Sequence, residues 1–181
     1  KTFFIALSYI LSIMKKLLLI LLCLPMIGFG QNGITYNQNG LVKGYYENGN
    51  LRFEVNYTNG VKNGSAKFYH KNGEILSEGN FLNDKQHGII KFYFENGNIE
   101  EMGKWENGKQ VGEERKYYAN GQLLSLTNFK DGKREELAKL WYENGQLASE
   151  IIYYRGMRYS TKCWDENFKQ IDCDKIGFFY D

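Results

Sequence analysis

The chain is poor in proline, histidine and cysteine, with 1 Pro, 2 His and 3 Cys among its 181 residues. Proline interrupts hydrogen-bonded strands, so its near absence permits extended pairing. His70 and His87 have no cysteine at metal-ligand spacing, and the sequence has no nucleophile elbow. We therefore predict no enzyme activity, no metal site and no cofactor. His70 is interpreted as a buried aromatic substitute and His87 as a solvated turn residue.

A turn signal recurs in the chain at a fixed interval. Asn-Gly returns every 24 residues, at 48–49, 72–73, 96–97, 120–121 and 144–145. A fixed period of this length indicates tandem copies of one supersecondary unit. Asn-Gly between apolar runs predicts a type I′ hairpin turn, with positive φ at both central residues.

A second turn has the same period, so each repeat contains two strands and two turns. It falls at Asn59-Gly60, Asn83-Asp84, Asn107-Gly108, Asp131-Gly132 and Arg155-Gly156. A further glycine recurs at Gly40, Gly64, Gly88 and Gly112, and Glu136 takes its place in the last repeat. The pattern predicts an all-β fold, an elongated antiparallel meander of tandem 24-residue hairpin repeats with about ten strands.

Strand alternation assigns one side of this sheet as buried because it is apolar in every repeat. If Asn-Gly forms the loop, Tyr46 faces Leu51 across the hairpin and belongs to that side. The rows predicted to be buried are Tyr46, His70, Phe94, Tyr118 and Tyr142; Leu51, Ile75, Ile99, Leu123 and Leu147; and Tyr57, Phe81, Trp105, Phe129 and Tyr153.

The opposite side is the candidate binding face. It carries an aromatic row, Tyr45, Tyr69, Tyr93, Tyr117 and Trp141, beside a basic row, Lys43, Lys67, Lys91, Arg115 and Lys139. Lys43, Lys67 and Lys139 face the glutamates Glu54, Glu78 and Glu150 across their hairpins. Lys91 and Arg115 face Met102 and Leu126, so we predict that they lack acidic partners. We expect them to contact an acidic protein partner or an anionic envelope component such as a lipid head group on a membrane surface. The alternative is that the lysines only pair with glutamates and the aromatic residues only lock strands together.

Adjacent carboxylates also recur, and neighbouring strand residues point to opposite faces, which does not suit them to shared acid-base chemistry. We interpret them as a solvated edge: Glu100-Glu101, Glu113-Glu114 and Glu135-Glu136.

The C-terminal segment, residues 158–181, departs from the repeat and is predicted to be a capping hairpin. Phe168 stands where the turn glycine is expected, and Cys163 and Cys173 lie on either side of that turn. Two thiols in an exported chain indicate a disulfide, which here would clamp the last two strands.

The N-terminal residues 1–30 have the pattern of a secretory signal peptide. Lys15 and Lys16 precede an apolar run, Leu17 to Ile27, and small residues precede Gln31, the expected start of the mature chain. Residues 1–13 are interpreted as lying upstream of the natural start, Met14. An uncleaved anchor is the alternative, although neither apolar half reaches the ~20 residues of a membrane span.

The predicted location is therefore outside the cytoplasm: periplasm, outer-membrane surface or secreted. All acidic residues follow residue 30, and three of the 23 basic residues precede it. The mature charge is thus close to neutral and gives no support to nucleic-acid binding.

The phrase Tyr-Tyr-Glu-Asn-Gly-Asn/Gln-Leu over residues 40–157 resembles the bacterial variant of the MORN repeat, as found in the YwqK antitoxin group. The resemblance implies an elongated sheet that attaches to proteins or lipids. We therefore predict a repeat array at residues 31–157 that acts as a non-enzymatic exported binding scaffold. Two alternatives are an antitoxin or immunity protein that neutralises a toxin, and an envelope enzyme. The oligomeric state is left open.

Overall fold

In the computed structural model, residues 39–173 are described, and they form one antiparallel sheet. Its 12 strands lie side by side in chain order, which confirms the predicted meander. The strands are β1 (Gly40–Tyr45), β2 (Leu51–Thr58), β3 (Val61–Tyr69), β4 (Ile75–Leu82), β5 (Lys85–Tyr93), β6 (Ile99–Glu106), β7 (Lys109–Tyr117), β8 (Leu123–Lys130), β9 (Lys133–Trp141), β10 (Leu147–Tyr154), β11 (Met157–Trp164) and β12 (Gln170–Ile171). The leader prediction for residues 1–30 lies outside the described residues, as do residues 31–38 and 174–181.

The turn that links one repeat to the next is of type I′, the form that the sequence analysis predicted for the other turn. Asn59 has φ 52° and Gly60 has φ 79°, and Thr58 pairs with Val61 directly across the turn. Positive φ at both positions recurs at the four equivalent turns, including the last, where Arg155 has φ 53°. Positive φ at both central residues matches the twist of the flanking strands, which is why Asn, Asp and Gly occupy the other positions.

The turn within each repeat differs from the prediction. Only Gly49 adopts a positive φ, 85°, and Asn48 does not. The Tyr46 amide donates to the Asn50 carbonyl at 2.8 Å and the Gly49 amide donates to the Tyr46 carbonyl at 2.9 Å. This is a three-residue loop, a type I turn followed by a glycine bulge. The Asn48 side chain accepts from the Asn50 amide at 3.1 Å, which stabilises this loop instead of the type I′ form.

The two faces of the sheet differ in burial, and we call them the inner and the outer face. The predicted inner-face residues Phe81, Trp105 and His70 are buried, which confirms the assignment. The centre of the inner face is a row that the sequence analysis left unnamed: Val55, Ala66, Phe68, Ile90 and Phe92. Residues 39–173 form a single sheet, so this row is covered by neighbours on the same face. Gly79 permits that packing, since a Cβ there would lie 2.8 Å from Ile90 Cγ1.

Tyrosine hydroxyls connect successive repeats on the inner face, and we call this row the hydroxyl ladder. Each hydroxyl donates over 2.6–2.8 Å to a backbone carbonyl 22 or 23 residues later: Tyr46, Tyr118 and Tyr142. His70 continues the row with Nε2 3.3 Å from the Tyr93 carbonyl. Phe94 stands in the same row without a polar atom, so its repeat lacks this bond.

The backbone also takes the left-handed conformation at the third repeating position. Gly40, Gly64, Gly88 and Gly112 all have positive φ there, and Glu136 has φ 62°. This conformation costs a residue with a Cβ about 1–2 kcal/mol, so Glu136 stores strain that glycine avoids.

The predicted cap is present as the β11–β12 hairpin, closed by a disulfide between Cys163 and Cys173. Phe168 has φ 61° and its amide donates to the Asp165 carbonyl at 2.9 Å. The cap therefore repeats the glycine-bulge turn with phenylalanine in the glycine position.

Candidate binding surface

One line of residues runs across the outer face, perpendicular to the strands, and we call it the charge row. Each member is the direct cross-strand partner of the next, from β1 to β11. The row is Lys43, Glu54, Lys67, Glu78, Lys91, Met102, Arg115, Leu126, Lys139, Glu150 and Lys162. A cation occupies every odd-numbered strand, and a glutamate occupies the even-numbered strands except β6 and β8.

The lysine–glutamate pairs predicted within hairpins are present. Their Nζ–Oε separations are 2.7, 3.9 and 3.2 Å: Lys43–Glu54, Lys67–Glu78 and Lys139–Glu150. The hydrogen bond from Lys43 lowers the pKa of the Glu54 carboxyl below its ordinary value. Exposed pairs of this kind contribute only about 0–1 kcal/mol each, so they organise charge more than they stabilise the fold.

The prediction that Lys91 and Arg115 lack acidic partners is wrong. Lys91 lies opposite Glu78 of the preceding repeat, with Nζ–Oε1 at 3.5 Å. Arg115 forms an ion pair with Glu113, two residues earlier on the same strand and face. The prediction considered only the partner within each hairpin, whereas an interior strand has neighbours on both sides.

The aromatic row lies beside the charge row and partly bonds to it. The Tyr69 hydroxyl donates to Glu54 at 2.8 Å and the Tyr93 hydroxyl donates to Glu78 at 2.7 Å. Burial, reinforced by these bonds, raises the pKa of both tyrosines to about 12. Tyr45 at the start of the row is 61% exposed.

The row changes where glutamate is absent. Tyr117 reaches only the Met102 sulfur, with the hydroxyl oxygen 3.9 Å away. Trp141, which has no hydroxyl, stands in the equivalent relation to Leu126, 15 residues before it. The aromatic residues therefore lock strands in the first repeats, and from Tyr117 onward they border an apolar gap in the charge row.

The middle of the charge row forms the central window, defined as Lys91, Met102, Arg115, Leu126 and Lys139. Its three cations keep 37%, 49% and 37% of their side-chain surface exposed. Two apolar side chains, Met102 and Leu126, lie between them, whereas the repeats toward either end of the sheet have glutamate at this position. Ile89 and Leu137, two residues before a window lysine and hence on the same face, are 47% and 38% exposed. The window combines cations with accessible apolar surface and has no carboxylate in the row itself.

The prediction that the adjacent carboxylates form a solvated edge is wrong for two of them. Glu101 and Glu114 are buried on the inner face, 2% and 5% exposed. Lys116 lies 3.5 Å from Glu101 and 3.9 Å from Glu114, and Gln110 donates to Glu114 at 2.8 Å. Lys116 occupies the repeat position of Phe68 and Phe92, a substitution that was visible in the sequence and compensates the buried charge.

The remaining candidate residues lie apart from the central window. His87 is not a solvated turn residue, because it lies half-buried in β5 opposite Asn80. The inner-face void between Phe68, Ile90 and Phe92 measures about 10 Å³, the space of about one water molecule. Within residues 39–173 no three of His, Cys, Asp and Glu are grouped as metal ligands.

An open sheet of tandem two-stranded units, stacked in chain order, defines a β-repeat protein. The chain belongs to the family of the MORN repeat variant, which matches it five times, at residues 38–59, 62–83, 86–109, 110–131 and 137–155. These matches fall on the observed hairpins. Repeats of this family are consistent with a scaffold that binds partners.

Similarity to solved structures is weak. Among solved structures, a mutant of S. aureus TarM in complex with Fondaparinux, alpha-GlcNAc-glycerol and UDP is similar with TM-score 0.36 and 13% identity. The match covers 53% of this chain and 19% of that one, so this chain spans a small part of TarM. No curated protein matches. The described residues contain no helix of sufficient length and apolarity to traverse a bilayer.

Proposed function

We propose that the chain is a non-enzymatic repeat scaffold that binds an acidic partner through the central window. The observation that carries the proposal is the replacement of glutamate by Met102 and Leu126, while the cations on the neighbouring strands are kept. At both ends of the charge row cations alternate with carboxylates. In the window, Arg115 has an apolar residue on each side instead of a carboxylate.

The composition of the window suits recognition of an acidic, partly apolar surface. A carboxylate of the partner that approaches Arg115 meets no carboxylate on the adjacent strands of the row, and it competes only with Glu113, which pairs with Arg115 from the same strand. Met102 and Leu126 offer apolar contact, and methionine adapts to irregular partners. Electrostatic complementarity of this type fixes orientation and accelerates association, and salt screens it over about 8–10 Å.

The proposal is tested by restoring the glutamates. Met102→Glu with Leu126→Glu gives the window the alternation of cation and glutamate that the repeats toward either end of the sheet have, so the sheet is expected to keep its fold. Gln122→Glu with Gln146→Glu is the matched control, because it adds the same charge in exposed turns where Glu74 stands in another repeat.

The experiment compares proteins captured by the tagged wild type and both variants from an extract of the source cells, at low and high salt. We expect a salt-sensitive partner that is retained by the wild type and the turn variant, and lost by the window variant. Equal retention by all three proteins contradicts the proposal.

Two finer features belong to the same proposal. The leader pattern supports action outside the cytoplasm, and N-terminal sequencing of the exported protein is expected to begin at Gln31. The resemblance to the YwqK group supports a toxin as the partner. A tight one-to-one complex with a toxic protein, dissolved by the window variant, would establish the antitoxin or immunity role.

A further inference from the structure

We infer that the occupant of the central window is an amphipathic α-helix that presents acidic residues at i, i+7 and i+14 and apolar residues between them. The inference rests on the proposed function and specifies the partner. It follows from the spacing of the window, its chemistry and the residues that bound it.

The spacing of the window matches a helix laid across the strands. Neighbouring strands are about 4.8 Å apart, so Lys91, Arg115 and Lys139 follow one another at about 9.6 Å. Seven residues of an α-helix advance about 10.5 Å, at 1.5 Å per residue. Met102 and Leu126 each lie one strand, about 4.8 Å, from the two cations that flank them, and three or four helical residues span that distance.

The chemistry of the window alternates in the same order as one stripe of such a helix. Residues at i, i+3 or i+4, and i+7 share one face of a helix. Acids at i, i+7 and i+14 reach the three cations, and the apolar residues between them reach Met102 and Leu126. Each cation is exposed enough to accept a second carboxylate beside the glutamate it already pairs with: Glu78, Glu113 or Glu150. Ile89 and Leu137, exposed beside the row, widen the apolar contact for residues that flank the stripe.

Two residues set the length of the occupant. Glu78 lies beside one end of the window and Glu150 beside the other, and both repel a further acid of the partner. The sheet also twists by about 20–25° per strand, so a straight helix stays close to the row only over a few strands. Both effects limit the contacting part of the partner helix to about two heptads.

The described residues do not supply the helix themselves. Residues 1–38 contain no Asp or Glu and so lack the acidic stripe. Residues 39–173 are strands and turns, so a second copy offers no such helix from them.

The test uses two synthetic peptides of identical composition and equal helicity. One places Glu at i, i+7 and i+14 with Leu at i+3 and i+10, and the other distributes the same residues around the helix. Binding to the full chain is measured by fluorescence anisotropy. We expect the striped peptide to bind at least tenfold more tightly than the distributed one, with an affinity that falls as salt is added.

The variants localise the binding. Met102→Glu with Leu126→Glu is expected to weaken the striped peptide at least tenfold, and Gln122→Glu with Gln146→Glu to leave it unchanged. Arg115→Ala, at a half-exposed position that folding tolerates, provides a second window variant with the same expected direction.

Three results overturn the inference. Equal binding of both peptides means that the window reads charge alone, and the proposed function then stands without a helical partner. If the striped peptide binds both window variants as tightly as the wild type, its binding site lies elsewhere on the chain. If both peptides fail and phosphatidylglycerol vesicles bind with window dependence, the occupant is a membrane surface. The proposed function itself fails only if the window variant also captures the same partners as the wild type.

Discussion

The hydroxyl ladder predicts that one added oxygen atom stabilises the array. Phe94 is flanked by repeats in which His70 and Tyr118 bond to the backbone of the next repeat. Because the acceptor lies 23 residues later in those repeats, the Phe94→Tyr hydroxyl is expected to donate to the Tyr117 carbonyl. The substitution fills a position that the array already fits to tyrosine.

The size of the effect follows from the bond that is added. A net intramolecular hydrogen bond contributes about 0.5–1.5 kcal/mol. For a domain of this length 1 kcal/mol raises the melting temperature by about 2–4 °C. Tyr118→Phe is the matched reversal, and it costs at least as much because it removes the donor to the Trp141 carbonyl.

The assay is thermal and urea unfolding of the wild type, Phe94→Tyr, Tyr118→Phe and the double variant. Amide hydrogen exchange in β7 adds a local measurement, since stability in a repeat array resides largely in interfaces between neighbours. We expect Phe94→Tyr to raise the midpoint and slow exchange there. A normal loss in Tyr118→Phe without a gain in Phe94→Tyr refutes the claim that the acceptor geometry repeats.

Three further predictions concern pH, the cap and backbone strain. Burial raises the pKa of three tyrosines from 10 to about 12: Tyr69, Tyr93 and Tyr118. Only the unfolded chain ionises them between these values, so the urea midpoint should hold below pH 10 and fall toward pH 12; a flat midpoint contradicts this. Replacing Cys163 and Cys173 by serine should cost about 2–3 kcal/mol for a loop of this length, and an unchanged denaturation curve contradicts it. Glu136→Gly should stabilise by about 1 kcal/mol by relieving its positive φ, where a loss would show that the Glu136 side chain outweighs the strain.

The period and the turn residues were sufficient to predict the order of the strands, but not the geometry of every turn. Asn59-Gly60 forms a type I′ turn, whereas Asn48-Gly49, for which that turn was predicted, does not. The same dipeptide serves both loops because glycine takes the positive φ in each. The choice depends on the length of the loop and on the bond from the Asn50 amide to the Asn48 side chain, neither of which the dipeptide encodes.

The candidate surface was located from the sequence, but its electrostatics were not. The hairpin rule gave the partner of Lys91 on one side only and missed Glu78 on the other. Strand alternation places Glu101 on the same side as Ile99 and Glu114 on the side opposite Arg115, so the interpretation as a solvated edge did not follow from the predicted faces. The sequence did not show that Lys116 reaches both carboxylates across the strands. Pairing within a hairpin is local information, and the charge row arises only when the hairpins are joined.

The proposed role of the central window would give the repeat array specificity at little cost to its fold. A cross-strand ion pair contributes about 0.2–1 kcal/mol, so losing glutamate on β6 and β8 removes little stability. Under the proposed function the effect on recognition is larger, since a charge row that alternates in sign elsewhere has only cations and apolar residues over five strands. The backbone holds these groups at the strand spacing whether or not a partner is bound, so recognition needs little ordering of the scaffold. Equivalent substitutions on β2 and β4, Glu54→Met and Glu78→Leu, should therefore extend the site toward the N-terminal repeats with the same spacing.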